Sequence, residues 1–571
     1  MAVFWPYNLG ERPIMDRTWY KSYSDGVPET INPDAYASLI EPFEKFTKQY
    51  ADLVAFSNFG STLTYQDLYE HSMAFATYLQ SLGLKKSDRV AIMLPNVLQY
   101  PVVLFGVLCA GMTVVNVNPL YTAPELIHQL KDAQATTVVV LSNFAKTLEK
   151  ALPDTPVEHV IVTDMGDMMG GFKKSLFNFV VKYIKRAVPA WHINCAVPFL
   201  IALETGAKSH YTRPNLNGDD IAFLQYTGGT TGHPKGAMLT HRNVIANVLQ
   251  CVAWVKAVVQ PGEDVVLGAL PLYHIFSLTI CAMTFLALGV ECLLVTNPRD
   301  MNSFVKLLSK TRLTIFVGLN TLFNGLLQHP KFKNIDFSAL KLTVAGGMAV
   351  QRPIAEAWQD ATSTCILQGY GLTEASPVVT INPIDLTHYN ESIGVPVPAT
   401  DVILRDNSGH TVSNGAEGEL CVKGPQVMKG YWQLPDSTRK VIDEDGWLRT
   451  GDIARIDERG FLYIVDRKKD MVLVSGFNVY PNEIEEVLSA HPDIVEAAVI
   501  GVPNAQTGEA VKAFIVKKNN GLSEAGVLQF CRQSLTGYKV PKFIEFRDEL
   551  PKSNVGKVLR RELREESLRE A

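Results

Sequence analysis

Residues 226–236 read Tyr-Thr-Gly-Gly-Thr-Thr-Gly-His-Pro-Lys-Gly. Gly228, Gly229 and Gly232 let a backbone turn its amides toward one point, Thr230 and Thr231 add hydroxyl donors, and Lys235 adds a positive charge. Such a set is a cradle for phosphate oxygens, with an ordinary Gly-rich turn as the plainer alternative. It is not a Walker A loop, where Gly stands directly before the lysine and Ser or Thr directly after it. Here Pro234 and Gly236 hold those places, so a metal-binding hydroxyl is missing and a Mg²⁺ ligand must come from elsewhere.

Further segments carry groups that suit a nucleotide. In Gly369-Tyr370-Gly371-Leu372-Thr373-Glu374 the Tyr370 ring can lie against a purine, and Glu374 is a hard oxygen ligand fit for Mg²⁺. Asp452, after the turn at Thr450-Gly451, offers a carboxylate to ribose hydroxyls. Lys557 ends Pro551-Lys552-Ser553-Asn554-Val555-Gly556-Lys557, a Gly-containing loop before a charged helix. Taken singly, the hexapeptide is a turn and Lys557 a solvated surface lysine. Together they stand in the order and setting that one nucleotide-dependent reaction needs.

Positioning these groups calls for particular elements. Residues 221–225 read as a buried strand and Thr240 as the cap of a helix running through Asn247, so the loop is expected to join strand to helix. Between about residues 87 and 375, apolar strands at 90–94, 113–117, 137–141, 221–225, 291–295, 314–317, 341–345 and 364–368 alternate with helical patterns. That alternation predicts an α/β fold of doubly wound parallel sheets, with ligands at the carboxyl ends of strands. The loops after Gln225, Ala345 and Gln368 should face a common cleft. From about residue 400 to 465, short strands and turns predict a small antiparallel β subdomain, completing an N-terminal domain of residues 1–465. Asp466-Arg467-Lys468-Lys469-Asp470 is then a charged hairpin tip or a solvated hinge. Residues 471–571 read as a separate, mobile α+β lid, with a helix at 481–490 and strands at 497–501 and 511–516.

At 571 residues the chain exceeds the roughly 250 to 300 that one core organises, so two or three subdomains are expected. A net charge of −5 gives no global pull toward nucleic acid. Eight cysteines without CxxC pairing read as small core residues of a reducing compartment, and the N-terminus lacks a basic region and continuous apolar run, so the cytoplasm is expected. The 26 residues 265–290 carry no Lys, Arg, Asp or Glu, but Gly268, Pro271 and His274 interrupt them. A buried helix over 275–288 therefore suits the segment better than a membrane span. In residues 173–191, Leu176, Phe177, Val180, Ile184 and Val188 fall on one helical face, with Lys174, Asn178, Lys182, Lys185 and Arg186 opposite. That face either packs on the core or makes a peripheral contact with an anionic membrane surface. The sequence is silent on assembly, and a homodimer is compatible with it.

In their order the segments resemble the adenylate-forming superfamily of acyl-CoA synthetases, luciferases and peptide-synthetase adenylation domains across nearly the whole chain. Residues 226–236, 271–276, 445–452 and 474–481 are similar in particular to the bacterial long-chain fatty-acid CoA ligases of β-oxidation. The resemblance implies two steps on a fatty acid: acyl-AMP formation from ATP with release of pyrophosphate, then thioester formation with CoA and release of AMP, with Mg²⁺ as cofactor. It implies that Thr227, Gly228, Gly229, Thr230, Thr231, Gly232 and Lys235 grip phosphates, Lys235 on the β and γ groups. Gly369, Tyr370, Gly371, Thr373 and Glu374 would serve adenine, phosphate and Mg²⁺, while Asp452 and Arg467 hold the ribose. Lys557 matches the lysine that enters for adenylation and Lys469 the pivot of the C-terminal domain, whose rotation is expected to bring Ser475 and Gly476 beside the CoA tunnel. His274 matches a position near the acyl pocket, its alternative being a satisfied core histidine, and the pocket is expected past residues 317–323 and Gly346, Gly347 and Met348. The family's loop often has Ser where this chain has Gly228, which costs a hydroxyl but leaves the amides. The rivals are an enzyme that passes its acyl group to a carrier protein, and a nucleotide-gated binding protein with a silent cleft.

Overall fold

The computed structural model describes residues 17–227, 234–475, 477–504, 506–519, 521–553 and 556–570. Two doubly wound sheets carry the N-terminal domain. In one, Ala196–Pro198, His159–Thr163, Thr137–Leu141, Arg89–Met93, Thr113–Asn116 and Ile221–Thr227 lie parallel in that order, and Lys235–Thr240 and Gly430–Tyr431 extend the edge antiparallel. In the other, Val54–Asn58, Glu291–Leu294, Val265–Gly268, Ile315–Gly318, Leu342–Ala345 and Ile366–Gly371 are parallel, flanked by antiparallel Ser61–Thr64 on one side and Val378–Ile381 and Val395–Pro396 on the other. The sequence reason is plain in Thr137–Leu141 and Leu342–Ala345, which are buried at every position. Largely apolar strands of this kind, buried along their whole length, are stable only with both faces covered.

The small subdomain is a four-stranded antiparallel sheet of Asp401–Arg405, Gly418–Lys423, Leu448–Ile456 and Leu462–Arg467. The C-terminal domain has its own sheet, Phe477–Val479, Val472–Val474, Gly508–Lys517 and Ile494–Asn504, with Phe543–Arg547 parallel on Gly508–Lys517. It also has its own core, in which Val472, Ile484, Leu488, Val499, Ile515 and Val527 pack together. The eight strands expected in residues 87–375 are all present, each starting within two residues of its expected place. Seven of the eight cysteines are buried or half-buried, and only Cys195 is exposed. Residues 275–287 form a continuous buried helix with a π-helical middle, Leu278–Thr284. Among the described residues no helix is long and apolar enough to cross a membrane.

Three expectations are corrected. The strand Ile221–Thr227 is followed not by a helix but by an antiparallel partner, Lys235–Thr240, so the phosphate loop closes a hairpin. Thr240 then caps the helix His241–Val255 through a capping box with Asn243, as its sequence indicates. Asp466, expected in a solvated segment, is buried instead: with Arg467 it ends the strand Leu462–Arg467, paired with Ile453 and Asp452, and residues 468–470 form the turn that follows. Finally, the helix at Gly171–Phe179 ends in a π-helical turn at Ile184, and Leu176 and Ile184 are 51% and 65% exposed instead of facing the core. It is anchored on another side: Phe177 meets Phe59 at 5.0 Å between ring centres, and Asn178 Oδ1 accepts from Gly166 N at 2.8 Å.

Candidate active site

The root of the phosphate hairpin is fixed from several directions. Thr227 and Lys235 are cross-strand partners, and Tyr226 opposes Gly236. The Tyr226 hydroxyl donates to Asp132 Oδ2 at 2.5 Å, and its ring lies so close to Gly236 that a Cβ there would stand 3.2 Å from Cζ. Lys235 Nζ stands 5.1 Å from the centre of the Tyr431 ring. Gly228, Gly229, Thr230, Thr231 and Gly232 lie outside the described residues. Beside the hairpin, Gln225 Nε2 donates to Tyr273 O at 2.9 Å, which brings the end of this strand to His274.

The strand Ile366–Gly371 delivers the second group of residues. Gly371 is required sterically, because a Cβ would fall 2.3 Å from Pro377 O, and at Gly369 it would meet Thr380 O at 3.2 Å. Thr373 and Glu374 follow in the single turn Thr373–Ala375. The Tyr370 hydroxyl donates to Asp452 Oδ2 at 2.5 Å, and Arg467 Nε stands 3.4 Å from Asp452 Oδ1. Asp452 is buried and cross-strand to Arg467, so the pair expected at the ribose is built by register alone. Burial and the Asp452 carboxylate hold the Tyr370 phenol well above its usual pKa, so it remains a hydrogen-bond donor.

Glu374 Oε1 accepts from the Tyr431 hydroxyl at 2.7 Å, while Oε2 accepts no hydrogen bond among the described residues. No cluster of three His, Cys, Asp or Glu side chains suited to a metal stands among those residues. Mg²⁺ needs no such cage: it keeps several waters and is held by one or two carboxylates plus substrate phosphates. A lone carboxylate with a free oxygen next to a phosphate hairpin fits it.

Lys557 comes to this cleft from the C-terminal domain. Its loop is turned by Ser553 N donating to Lys557 O at 2.7 Å, and at Gly556, with φ +78°, a Cβ would stand 2.8 Å from Thr321 Oγ1 of the large domain. Burial, then the Arg467 guanidinium, pulls the Lys557 ammonium down to about 7, against the opposing pull of Asp452. His274 is pulled down to about 4, by burial first and by the Lys557 charge second, so it is neutral near pH 7. Its Nδ1 accepts from Phe276 N at 3.4 Å. Phe276 in turn lies against Gly346, where a Cβ would come within 2.9 Å of its ring, and Gly347 adopts φ +77° beside Leu319. The structure thus brings His274, Gly346 and Gly347 to one wall. Phe323, expected along the same path, is wholly buried against Phe316 and Trp358.

In the turn between the domains, burial lowers Lys469 to about 8. Asp470 pairs with Arg560 at 3.5 Å and Arg564 at 2.9 Å, and Arg560 also reaches Glu485 at 2.6 Å. Ser475 lies on an exposed hairpin tip with φ +51°, its backbone N donating to Thr507 O at 2.8 Å, and Gly476 lies outside the described residues. Sequence reading missed Tyr431, Asp132, Thr321 and Arg560. None belongs to a motif, and each acts on a partner remote in the chain.

A nucleotide cleft completed by a lysine from a second domain defines a class of enzymes that couple ATP to acyl transfer. The chain belongs to the AMP-binding enzyme family: the family's model matches residues 43–432 and that of its C-terminal domain matches residues 483–557. It is 58% identical to a long-chain-fatty-acid–CoA ligase of Yersinia pestis over 556 residues, 97% of this chain and 99% of that one. A ligase of the same description from Bacillus subtilis is 39% identical over 96% of this chain and 98% of its own. Among solved structures, an anthranilate CoA ligase in complex with anthranoyl-AMP superposes with a TM-score of 0.81 at 25% identity, covering 94% of this chain and 98% of its own. ATP-bound MatB from Rhodopseudomonas palustris does so at 0.78 and 29% identity, covering 92% and 98%.

Proposed function

We propose that this chain activates long-chain fatty acids to their CoA thioesters, supplying the substrate of fatty-acid β-oxidation. The observation that carries the reading is the seating of the Lys557 loop on the large domain, with Gly556 against Thr321, which sets the Lys557 ammonium in the field of Asp452 and Arg467. A carboxylate cannot acylate a thiol directly, because oxide would have to leave. In the first step a carboxylate oxygen attacks the α-phosphorus of ATP, and the bond to the β-phosphate oxygen breaks as pyrophosphate departs. Positioning and charge stabilisation carry such a step. Lys557 is the group that would lie between the two anions, and Asp452, held by Tyr370 and Arg467, would fix the ribose. Lys235 and the hairpin amides would hold the β and γ phosphates. Glu374 would hold Mg²⁺, whose charge would offset that of the leaving pyrophosphate.

In the second step the CoA thiol attacks the acyl carbonyl, its proton is lost and AMP leaves. That attack needs access which Lys557 and its loop occupy. The lid is proposed to turn about Lys469, withdrawing Lys557 and presenting Ser475 and Gly476 to the pantetheine path. The fatty acyl chain is assigned to the wall formed by His274, Phe276, Gly346 and Gly347, where neutral His274 adds no charge to an apolar path.

The decisive experiment is release of free acyl-CoA from purified protein across saturated acids from C6 to C18. Turnover should be greatest toward the long end, with one AMP and one pyrophosphate per thioester. ATP/pyrophosphate exchange without any free thioester would identify an enzyme that serves a carrier protein, and absence of exchange would overturn the reading altogether.

A peripheral membrane contact is a second proposal, favoured by one surface. Phe172, Phe179, Tyr183 and Ile184 are exposed beside Lys173, Lys182, Lys185 and Arg186. Apolar side chains rimmed by cations suit the headgroup region of anionic lipid, which would place the protein at the cytoplasmic face of the membrane.

A further inference from the structure

Two charged groups that the proposed mechanism uses separately converge on a side chain that it does not use. Tyr431 is 8% exposed. Its hydroxyl donates to Glu374 Oε1 at 2.7 Å, and its ring carries Lys235 Nζ at 5.1 Å from the centre. The backbone around it repeats the connection. Met428 N donates to Glu374 O at 2.8 Å, Tyr431 is cross-strand to Ala237, and Trp432 N donates to Gly236 O at 2.8 Å. Thr438 Oγ1 accepts from Tyr431 N at 2.9 Å, which fixes the near end of the strand.

The chemistry of the ring suits both neighbours at once. A phenol donates in its own plane, so it occupies one carboxylate oxygen and leaves Oε2 for another partner. The face of the ring attracts a cation and offers it no proton acceptor, so the ammonium keeps its donors for phosphate oxygens. We propose that Tyr431 is a positioning residue, holding the Glu374 carboxylate and the Lys235 ammonium in their working places before a nucleotide arrives. The inference rests on the reading of Glu374 as the Mg²⁺ carboxylate and Lys235 as a phosphate lysine.

Two substitutions separate its two contacts. Tyr431→Phe keeps the ring beneath Lys235 and removes only the hydroxyl; Tyr431→Leu removes both. Two quantities are measured: the Mg²⁺ concentration giving half-maximal ATP/pyrophosphate exchange, and the affinity for ATP alone in EDTA by calorimetry. Tyr431→Phe should raise the first by about 10- to 100-fold, the value of one hydrogen bond to a charged group, and leave the second unchanged. Tyr431→Leu should also weaken metal-free ATP binding by about 2- to 5-fold, the loss of one cation–π contact.

Three controls assign any failure. Glu374→Gln must raise the Mg²⁺ requirement and Lys235→Ala must weaken metal-free ATP binding; if either does not, the reading of that residue falls. If both do and the Tyr431 variants match wild type, the positioning role is overturned. Trp432→Phe removes a bond from Nε1 to Asp132 O at the residue directly after the strand Gly430–Tyr431 and should change neither quantity. Equal shifts in Trp432→Phe and Tyr431→Phe would show loss of the strand instead of loss of the side chain, and would also overturn the proposal.

Discussion

Lys557 is placed where its charge is least comfortable. Burial and Arg467 hold it down to about 7, so in the empty site it loses its proton as pH rises through that value. The charged form is the one that can lie between a carboxylate and a phosphate. The rate of ATP/pyrophosphate exchange at low fatty acid should therefore fall as pH rises through about 7. At saturation the two anions favour the ammonium, so the falling limb should move to higher pH. Conversion of supplied acyl-AMP to thioester should lack that limb. A flat exchange profile from about pH 6 to about pH 9 would contradict the assignment. Substitution makes the same division: Lys557→Ala should cost on the order of 10² to 10³ in acyl-AMP formation and spare thioester formation from acyl-AMP. Loss of both half-reactions together would remove Lys557 from the first.

Among the elements, the turn at residues 468–470 and the helix Arg560–Glu570 belong to one argument. If the lid turns at Lys469, then Lys469→Pro, which fixes φ and stiffens the residue before it, should retain adenylation and lose overall thioester production. Unchanged turnover would place the pivot elsewhere. Arg560 is the half-buried tie between this turn and the helix, reaching Asp470, Glu485 and Asn482. Removing one partner of a fully buried ionic set costs about 3 to 5 kcal/mol because the others stay buried and unpaired, and this half-buried set should lose less than that. Arg560→Ala should thus raise hydrogen exchange across the C-terminal sheet, leave the large sheets protected, and depress adenylation more than nucleotide binding.

What the sequence discloses at this scale follows the range of the forces involved. Lys557, Asp452 and Glu374 sit in local motifs, and the parallel strands are written as apolar runs, so both were readable. The strand Lys235–Thr240 was not, because six residues that end in a helix cap carry no strand period of their own and owe their pairing to Ile221–Thr227. Asp466 misled by composition: a charge beside four others reads as solvated, yet it is buried, accepting from Asn482 N at 2.8 Å. Tyr431 and Asp132 had no signal at all, since their partners lie 57 and 94 residues away.

Over the whole molecule, the exposed patch at Phe172, Phe179, Tyr183 and Ile184 tests where the protein meets its water-poor substrate. Replacing Lys182, Lys185 and Arg186 with Glu should abolish sedimentation with anionic vesicles and leave turnover on a detergent-solubilised acid unchanged. Equal binding by the variant would assign the patch to something other than lipid. The tie from Asp470 to Arg560 and Arg564 reaches further than stability. It joins the far end of the turn at residues 468–470 to the helix that begins three residues after Lys557, so on the proposed motion the pivot and the ammonium would behave as a crank and its pin. On the proposed motion, one throw of that crank takes the first reaction out of service as it admits the second. The two chemistries then exclude each other in time, pyrophosphate must depart before CoA reacts, and initial-rate lines for ATP at several fixed CoA concentrations should run parallel instead of converging.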